Sequence, residues 1–317
     1  MIHDFTKKNV EWTPEGRLDY PIHYPKTPPL IESKKNISTM FVDTWYFLKK
    51  ATDKKSTIGT DNICIVLVKG LFGDLMPGNF NATYKNFKAL GLNVIKAKAK
   101  KASATIEENA FMLKVSIEKQ VKDSATQLVF LTHSKGGLDT LWALLSYPEL
   151  HQRTKAVAIV QCTRGSSPIM ESVFNKKHHA THISKINFYK EQLMNRTIYF
   201  AGYKAGCLDI TSEKLNKYIS TIDKQKFNFP IISVATWSIT PTSWLDSYHE
   251  RLKQIKPGCA HDGQFYIEDQ LWPSFEQIIL GNIDHAQPAM GGNGFDDANF
   301  WHTILHLFFK DRGSLPD

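Results

Sequence analysis

The chain has 317 residues, 42% apolar and 22% charged, which is the balance of a globular protein with a sizeable core and not of a disordered or fibrous one. Its 39 basic and 31 acidic side chains leave a formal charge of +8, but the lysines are scattered and no nucleic-acid motif accompanies them. Nucleic acid is therefore excluded as the expected partner, and transient contact with an anionic lipid surface is the most that the excess charge suggests.

Residues 1–60 are rich in proline, carry no apolar leader, and end in a predicted helix with Ile37, Met40, Phe41, Trp45 and Leu48 on one stripe. The stripe reads as a packing face on the main body; a membrane-docking face is the alternative. From residue 62 strands alternate with helices. Ile63–Val68 is a continuous apolar run between Asn62 and Gly70, as in a strand buried on both faces, and it is far too short to cross a bilayer. Residues 93–99 make a second strand. Ile106, Ala110, Leu113, Ile117 and Val121 form a helical face, and residues 127–132 a third strand. A helix through Leu138, Leu141, Trp142 and Leu145 is stopped by Pro148. Residues 157–162, 231–236 and 275–280 are three further strands, and a last helix carries Phe300, Ile304, Leu307 and Phe308.

This rhythm predicts the α/β class, with a mostly parallel sheet covered by helices on both faces. The stretch 166–228 interrupts it and reads as a cap or lid over the sheet's C-terminal edge. The expected organisation is an N-terminal extension (1–60), a core (61–165 and 229–317) and a cap (166–228). The expected location is cytoplasmic, or outside the cell by a route without a visible signal peptide, with no transmembrane segment.

Of the four cysteines, Cys64 and Cys162 fall in strand-like runs as small buried hydrophobes. Cys207 and Cys259 are expected in loops, where pairing would need an oxidising compartment. His178, His179 and His182 share a helical spacing, but with Lys176 and Lys177 beside them they read as a solvated basic face, so no metal site is predicted.

The chemistry centres on Thr132-His133-Ser134-Lys135-Gly136-Gly137, set directly between a buried strand and a helix. A serine on such a turn presents Oγ at the positive end of the helix, and the turn needs small neighbours. Gly136 meets that need; Thr132 stands where the G-x-S-x-G pattern has glycine. A serine hydroxyl needs a base. Of 12 histidines, His285 follows the last strand, and Asp262 lies in the loop before that strand, where it can orient the imidazole. Asp284, Asp269 and Asp246 are the alternative acids. The backbone amides of Leu71, in Lys69-Gly70-Leu71-Phe72-Gly73, and of Lys135 are the expected oxyanion donors.

Together, residues 66–73, 132–137, Thr163-Arg164-Gly165-Ser166, His261-Asp262-Gly263 and Ile283-Asp284-His285 resemble, in order and rough spacing, the bacterial true lipases (triacylglycerol lipases) and related esterases. Gly206–Tyr218 is similar to the end of that family's cap. The resemblance covers about residues 60–310 and implies an α/β-hydrolase fold, a catalytic Ser134–Asp262–His285 set, and no cofactor. Lys69 and Lys135 replace residues usual in the family. Ala286-Gln287-Pro288 stands where many members have a calcium-binding aspartate, so no calcium is expected. A hydrophobic ester is the expected substrate, with Phe174, Phe188, Phe200, Met290 and Phe295 either facing an acyl chain or serving as core. Acyl transfer, polyester cleavage and a catalytically silent binding protein with the same fold stand as alternatives.

Overall fold

The computed structural model describes residues 11–14, 23–27, 35–51, 62–74, 76, 78–97, 104–174, 202–239 and 245–309. In chain order these form α1 (Ser38–Lys50), β1 (Ile63–Val68), α2 (Asn81–Ala89), β2 (Val94–Lys96), α3 (Ile106–Gln120), β3 (Gln127–His133), α4 (Lys135–Ser146), α5 (Pro148–Arg153) and β4 (Thr154–Val160). There follow α6 (Pro168–Phe174), α7 (Lys204–Leu208), α8 (Ser212–Ile222), β5 (Ile231–Trp237), α9 (Asp246–Ile255), β6 (Glu276–Gly281), α10 (Gln287–Met290) and α11 (Asp297–Phe309).

The six strands form one sheet in the order β2-β1-β3-β4-β5-β6, with every pairing parallel. The chain steps outward from β1 to β2, then returns past β1 to β3. Right-handed crossovers in opposite directions must put their helices on opposite faces. Accordingly α2 packs on one face with Ile63, Ile65, Leu67, Val129 and Leu131, while α3 and α4 pack on the other with Cys64, Val66, Leu128 and Phe130. Strand residues thus alternate between two buried clusters, which is why they read as unbroken apolar runs.

Boundaries differ from the sequence expectation for local reasons. β4 begins at Thr154, earlier than predicted, because α5 starts at Pro148 and runs directly into it. It ends at Val160, because Gln161 turns to φ +52°. The N-terminal cap of α3 is a capping box between Thr105 and Glu108, to which Asp209 adds a carboxylate oxygen 2.7 Å from the Ile106 amide.

Trp12, Phe41 and Trp45 lie in the same cluster as α11, with Phe41 against Phe300 at 5.7 Å between ring centroids. The chain ahead of α1 also covers the outer edge of β6. Asn36 bridges Gln277 in parallel, the Ile37 amide donates to Gln277 O at 2.8 Å, and Ile279 N donates to Ser38 Oγ at 2.9 Å.

In the segment expected as a cap, α8 buries Leu215, Tyr218, Ile219 and Ile222 against the sheet face that carries α3 and α4. Residues 175–201, including His178, His179, His182, Phe188 and Phe200, lie outside the described residues. Cys207 lies in α7 and not in a loop, and it and Cys259 are separate free thiols. Burial raises the Cys207 thiol to about 12. No helix among the described residues is long and apolar enough to cross a membrane.

Candidate active site

The point where the strand order reverses, between β1 and β3, opens a crevice at the C-terminal strand ends. Ser134 sits there, between β3 and α4, at φ 56° and ψ −135°. A non-glycine residue in that region is strained and persists only where its surroundings fix it. Here the Ser134 amide donates to Val160 O at 2.8 Å. The turn lies so close to its neighbours that a Cβ at Gly136 would come within 2.4 Å of Lys69 O, and one at Gly137 within 2.6 Å of Cys162 Sγ. Thr132 fits because its side chain is fully buried with its hydroxyl donating to Ala158 O at 2.8 Å.

Ser134 Oγ lies 2.9 Å from His285 Nε2, and His285 Nδ1 lies 2.8 Å from Asp262 Oδ2. Since Asp262 offers only acceptors, Nδ1 carries the proton and Nε2 accepts from the serine hydroxyl. The other oxygen of Asp262 accepts from the amides of Gln264 and Phe265, both at 2.8 Å, so the carboxylate shapes its own turn and orients the imidazole together. Gly263 completes the turn at φ +99°, pressed so near His249 that a Cβ would meet its ring carbon at 2.6 Å. Asp262 is fully buried, while the His285 side chain is 11% exposed and so reachable. The Phe265 and His285 rings meet in a T-shaped arrangement at 5.1 Å.

Of the alternative acids, Asp284 accepts from the amides of Ala286 and Gln287 and so caps α10. Asp269 lies against Gly165, its carboxyl raised to about 7 by burial and by Glu268. The Asp246 side chain lies outside the described residues.

The loop after β1 turns back through a Gly73 N to Gly70 O bond of 3.1 Å. It passes so close to the serine that a Cβ at Gly70 would be 2.6 Å from Ser134 Cβ. Among the described residues no hydrogen bond takes the amide of Leu71 or that of Lys135, the first residue of α4. Phe72 packs on Tyr203 at 5.2 Å, tying this loop to the chain ahead of α7. The Lys135 side chain points away into the interior. Its Nζ lies 2.6 Å from Asp139 Oδ1 and 3.0 Å from Ala104 O. Burial raises the Asp139 carboxyl to about 6 against the pull of Lys135. A cavity of about 310 Å³ borders Asp139, Lys69, Asp74 and Lys96, with neither Ser134 nor His285 among the described residues of its wall. Phe295 is core, packed on Trp12 and Phe300.

Three polar residues missed in the sequence reading lie at the same edge. His133 Nε2 is 2.8 Å from His285 O and 2.9 Å from Gln161 Oε1, and burial, helped by His285, lowers its imidazole to about 3. Behind Asp262, the His261 and His249 rings meet edge-on at 4.8 Å, and burial holds both neutral. A glutamine and two histidines beside apolar strands were the available signals. Among the described residues no three His, Cys, Asp or Glu side chains are grouped to hold a metal ion.

No protein-family model matches the sequence, and no curated protein matches it. Solved structures do match its shape. A metagenomic carboxyl esterase, MGS0156, superposes with a TM-score of 0.62 at 18% identity, over 79% of this chain and 76% of its own. The mature Bacillus licheniformis lipase BlEst2 gives 0.57 at 13% identity, over 78% and 91%. EstA from Clostridium botulinum gives 0.54 at 12% identity, over 95% of each chain. With the all-parallel sheet, these likenesses show that the chain has the α/β-hydrolase fold.

Proposed function

We propose that the protein is a serine carboxylic-ester hydrolase that works through an acyl-enzyme on Ser134. The observation that carries this reading is the continuous bonded chain from Ser134 Oγ through His285 to Asp262, at 2.9 and 2.8 Å, at the crevice end of the sheet. Neighbouring structures described as a carboxyl esterase and a lipase support an ester as the substrate.

In this mechanism Ser134 Oγ attacks the ester carbonyl while His285 Nε2 takes its proton. Asp262 holds the Nδ1 proton and stabilises the imidazolium. The carbonyl electron pair moves to oxygen, which the Leu71 and Lys135 amides receive; losing one such donor costs on the order of 10²–10³ in turnover. The C–O bond to the alcohol breaks, and the alcohol leaves with the proton from His285. Water then attacks the acyl-enzyme with His285 as base, and the carboxylic acid departs from a restored serine.

A panel of p-nitrophenyl esters of rising acyl length tests the reading and reports the substrate class, a hydrophobic ester being expected. Wild type hydrolyses them and takes one fluorophosphonate on the peptide containing Ser134; Ser134→Ala does neither. Undiminished turnover in Ser134→Ala ends the proposal.

A further inference from the structure

Resting on that reading, we propose that His133 and Gln161 are positioning residues that set the reach of His285 towards Ser134 by clamping the main chain of the histidine loop. A general base works only if its ring nitrogen is placed to within a fraction of an ångström, so the loop that carries it must be held from outside. Four main-chain polar groups belong to Asp284 and His285, and all four are taken. Asp284 N donates to Gln287 Oε1 at 2.8 Å and His285 N to Asp262 O at 2.8 Å. The two carbonyls are held by side chains at the ends of β3 and β4, and the Gln287 amide also lies 3.3 Å from Asp284 O. Gln161 Nε2 donates to Asp284 O at 2.9 Å, and His133 Nε2 donates to His285 O at 2.8 Å.

The clamp is itself fixed. Gln161 Oε1 accepts the second branch of the His133 N–H at 2.9 Å, and Gln161 Nε2 also donates to Thr236 Oγ1 at 2.6 Å. The ends of β3, β4 and β5 are thereby joined sideways to the loop after β6. Both partners of His133 Nε2 are acceptors, so that nitrogen carries the hydrogen. Burial keeps the ring neutral in this tautomer at working pH. Gln161 is fully buried and adopts φ +52°, a region that costs a non-glycine residue on the order of 1 kcal/mol or more. The strained backbone turns the amide across the strand ends, where all its bonds fall on the site. An apolar residue would continue the pattern of β4 and make none of them.

Two replacements test the amide. Gln161→Met keeps length and volume but none of the bonds; kcat should fall about 10–100-fold with KM within about twofold, since loop placement and not binding is lost. Gln161→Glu keeps shape and, when protonated, one donor and the acceptor for His133. Once ionised, the introduced carboxyl has no hydrogen for Asp284 O and repels it, while Thr236 Oγ1 can turn its own hydrogen towards the carboxylate. The groups facing it are His133, Thr236 and the 284–285 main chain, with the His285 ring beyond. Its activity relative to wild type should therefore fall as pH rises. His133→Phe should repeat the kcat loss. Thermal melts identify any variant that does not fold; if Gln161→Met is one, the Gln161→Glu ratio decides. A folded Gln161→Met with wild-type kcat, or a Gln161→Glu ratio flat with pH, overturns the clamp. Full activity in Ser134→Ala overturns instead the reaction it serves.

Discussion

Replacing Asp262 by asparagine separates orientation from architecture, because the two oxygens of this carboxylate do different work. Oδ1 accepts two amides at 2.8 Å, from Gln264 and Phe265, and only an oxygen can do so. The new amide is therefore forced to place its nitrogen where Oδ2 stood, 2.8 Å from His285 Nδ1. That nitrogen donates, so Nδ1 must accept and the ring hydrogen moves to Nε2. There it faces Ser134 Oγ as a donor, and the base has become unable to take the serine proton. The wrong tautomer costs about 10⁴ in kcat in a comparable triad, or about 5 kcal/mol of transition-state stabilisation. The turn keeps its bonds, so stability should change by less than about 1 kcal/mol. Steady-state hydrolysis of a p-nitrophenyl ester, with a thermal melt on the same sample, checks both expectations. A folded Asp262→Asn retaining more than a tenth of wild-type kcat would refute the assignment of the orienting acid.

Gly70→Ala should lower kcat by about 10²–10³, because its Cβ, 2.6 Å from Ser134 Cβ, must push the Leu71 amide out of place; unchanged turnover in the folded variant would contradict that role. Asp269 gives a pH test of stability. Its folded-state carboxyl is raised to about 7 by burial, so the stability it contributes is present below the ordinary carboxylate range and lost as pH rises through about 7. Asp269→Asn removes the ionisation, and the Asp269 main-chain oxygen still accepts from Arg164 and Gly165. The variant should melt above wild type at pH 8, with the gap closing below about pH 5; parallel melting curves across that range would count against the shift.

Much of the sheet was legible because burial on both faces leaves an uninterrupted apolar run, as in Ile63–Val68 and 127–132. Ser134, His285 and Asp262 were legible from their places at strand ends, and the structure brings all three together. What stayed hidden depends on long-range direction. Nothing local tells that Lys135, next to the serine, sends its side chain inward to Asp139, one turn along α4. The clamp through Gln161 was hidden for a related reason. A backbone turn at φ +52° reverses where a strand-end residue points, and periodicity carries no signal for it. Cys207 was misplaced because α7, a short helix between Tyr203 and Asp209, is too brief to show a helical period.

The pairing of Asn36 with Gln277 joins two segments far apart in the sequence, and the Trp12 indole donating to Gly281 O at 3.2 Å does so again. Synthesis runs from the N-terminus, so the segment that seals the outermost strand is made before β6 and has nothing to dock on until β6 has emerged. Closure of this edge must therefore wait for all the strands between them, a contact of large sequence separation that slows folding. Until then the β6 edge offers its unpaired amides to any other extended strand, and a crowded refolding mixture should lose protein at that stage.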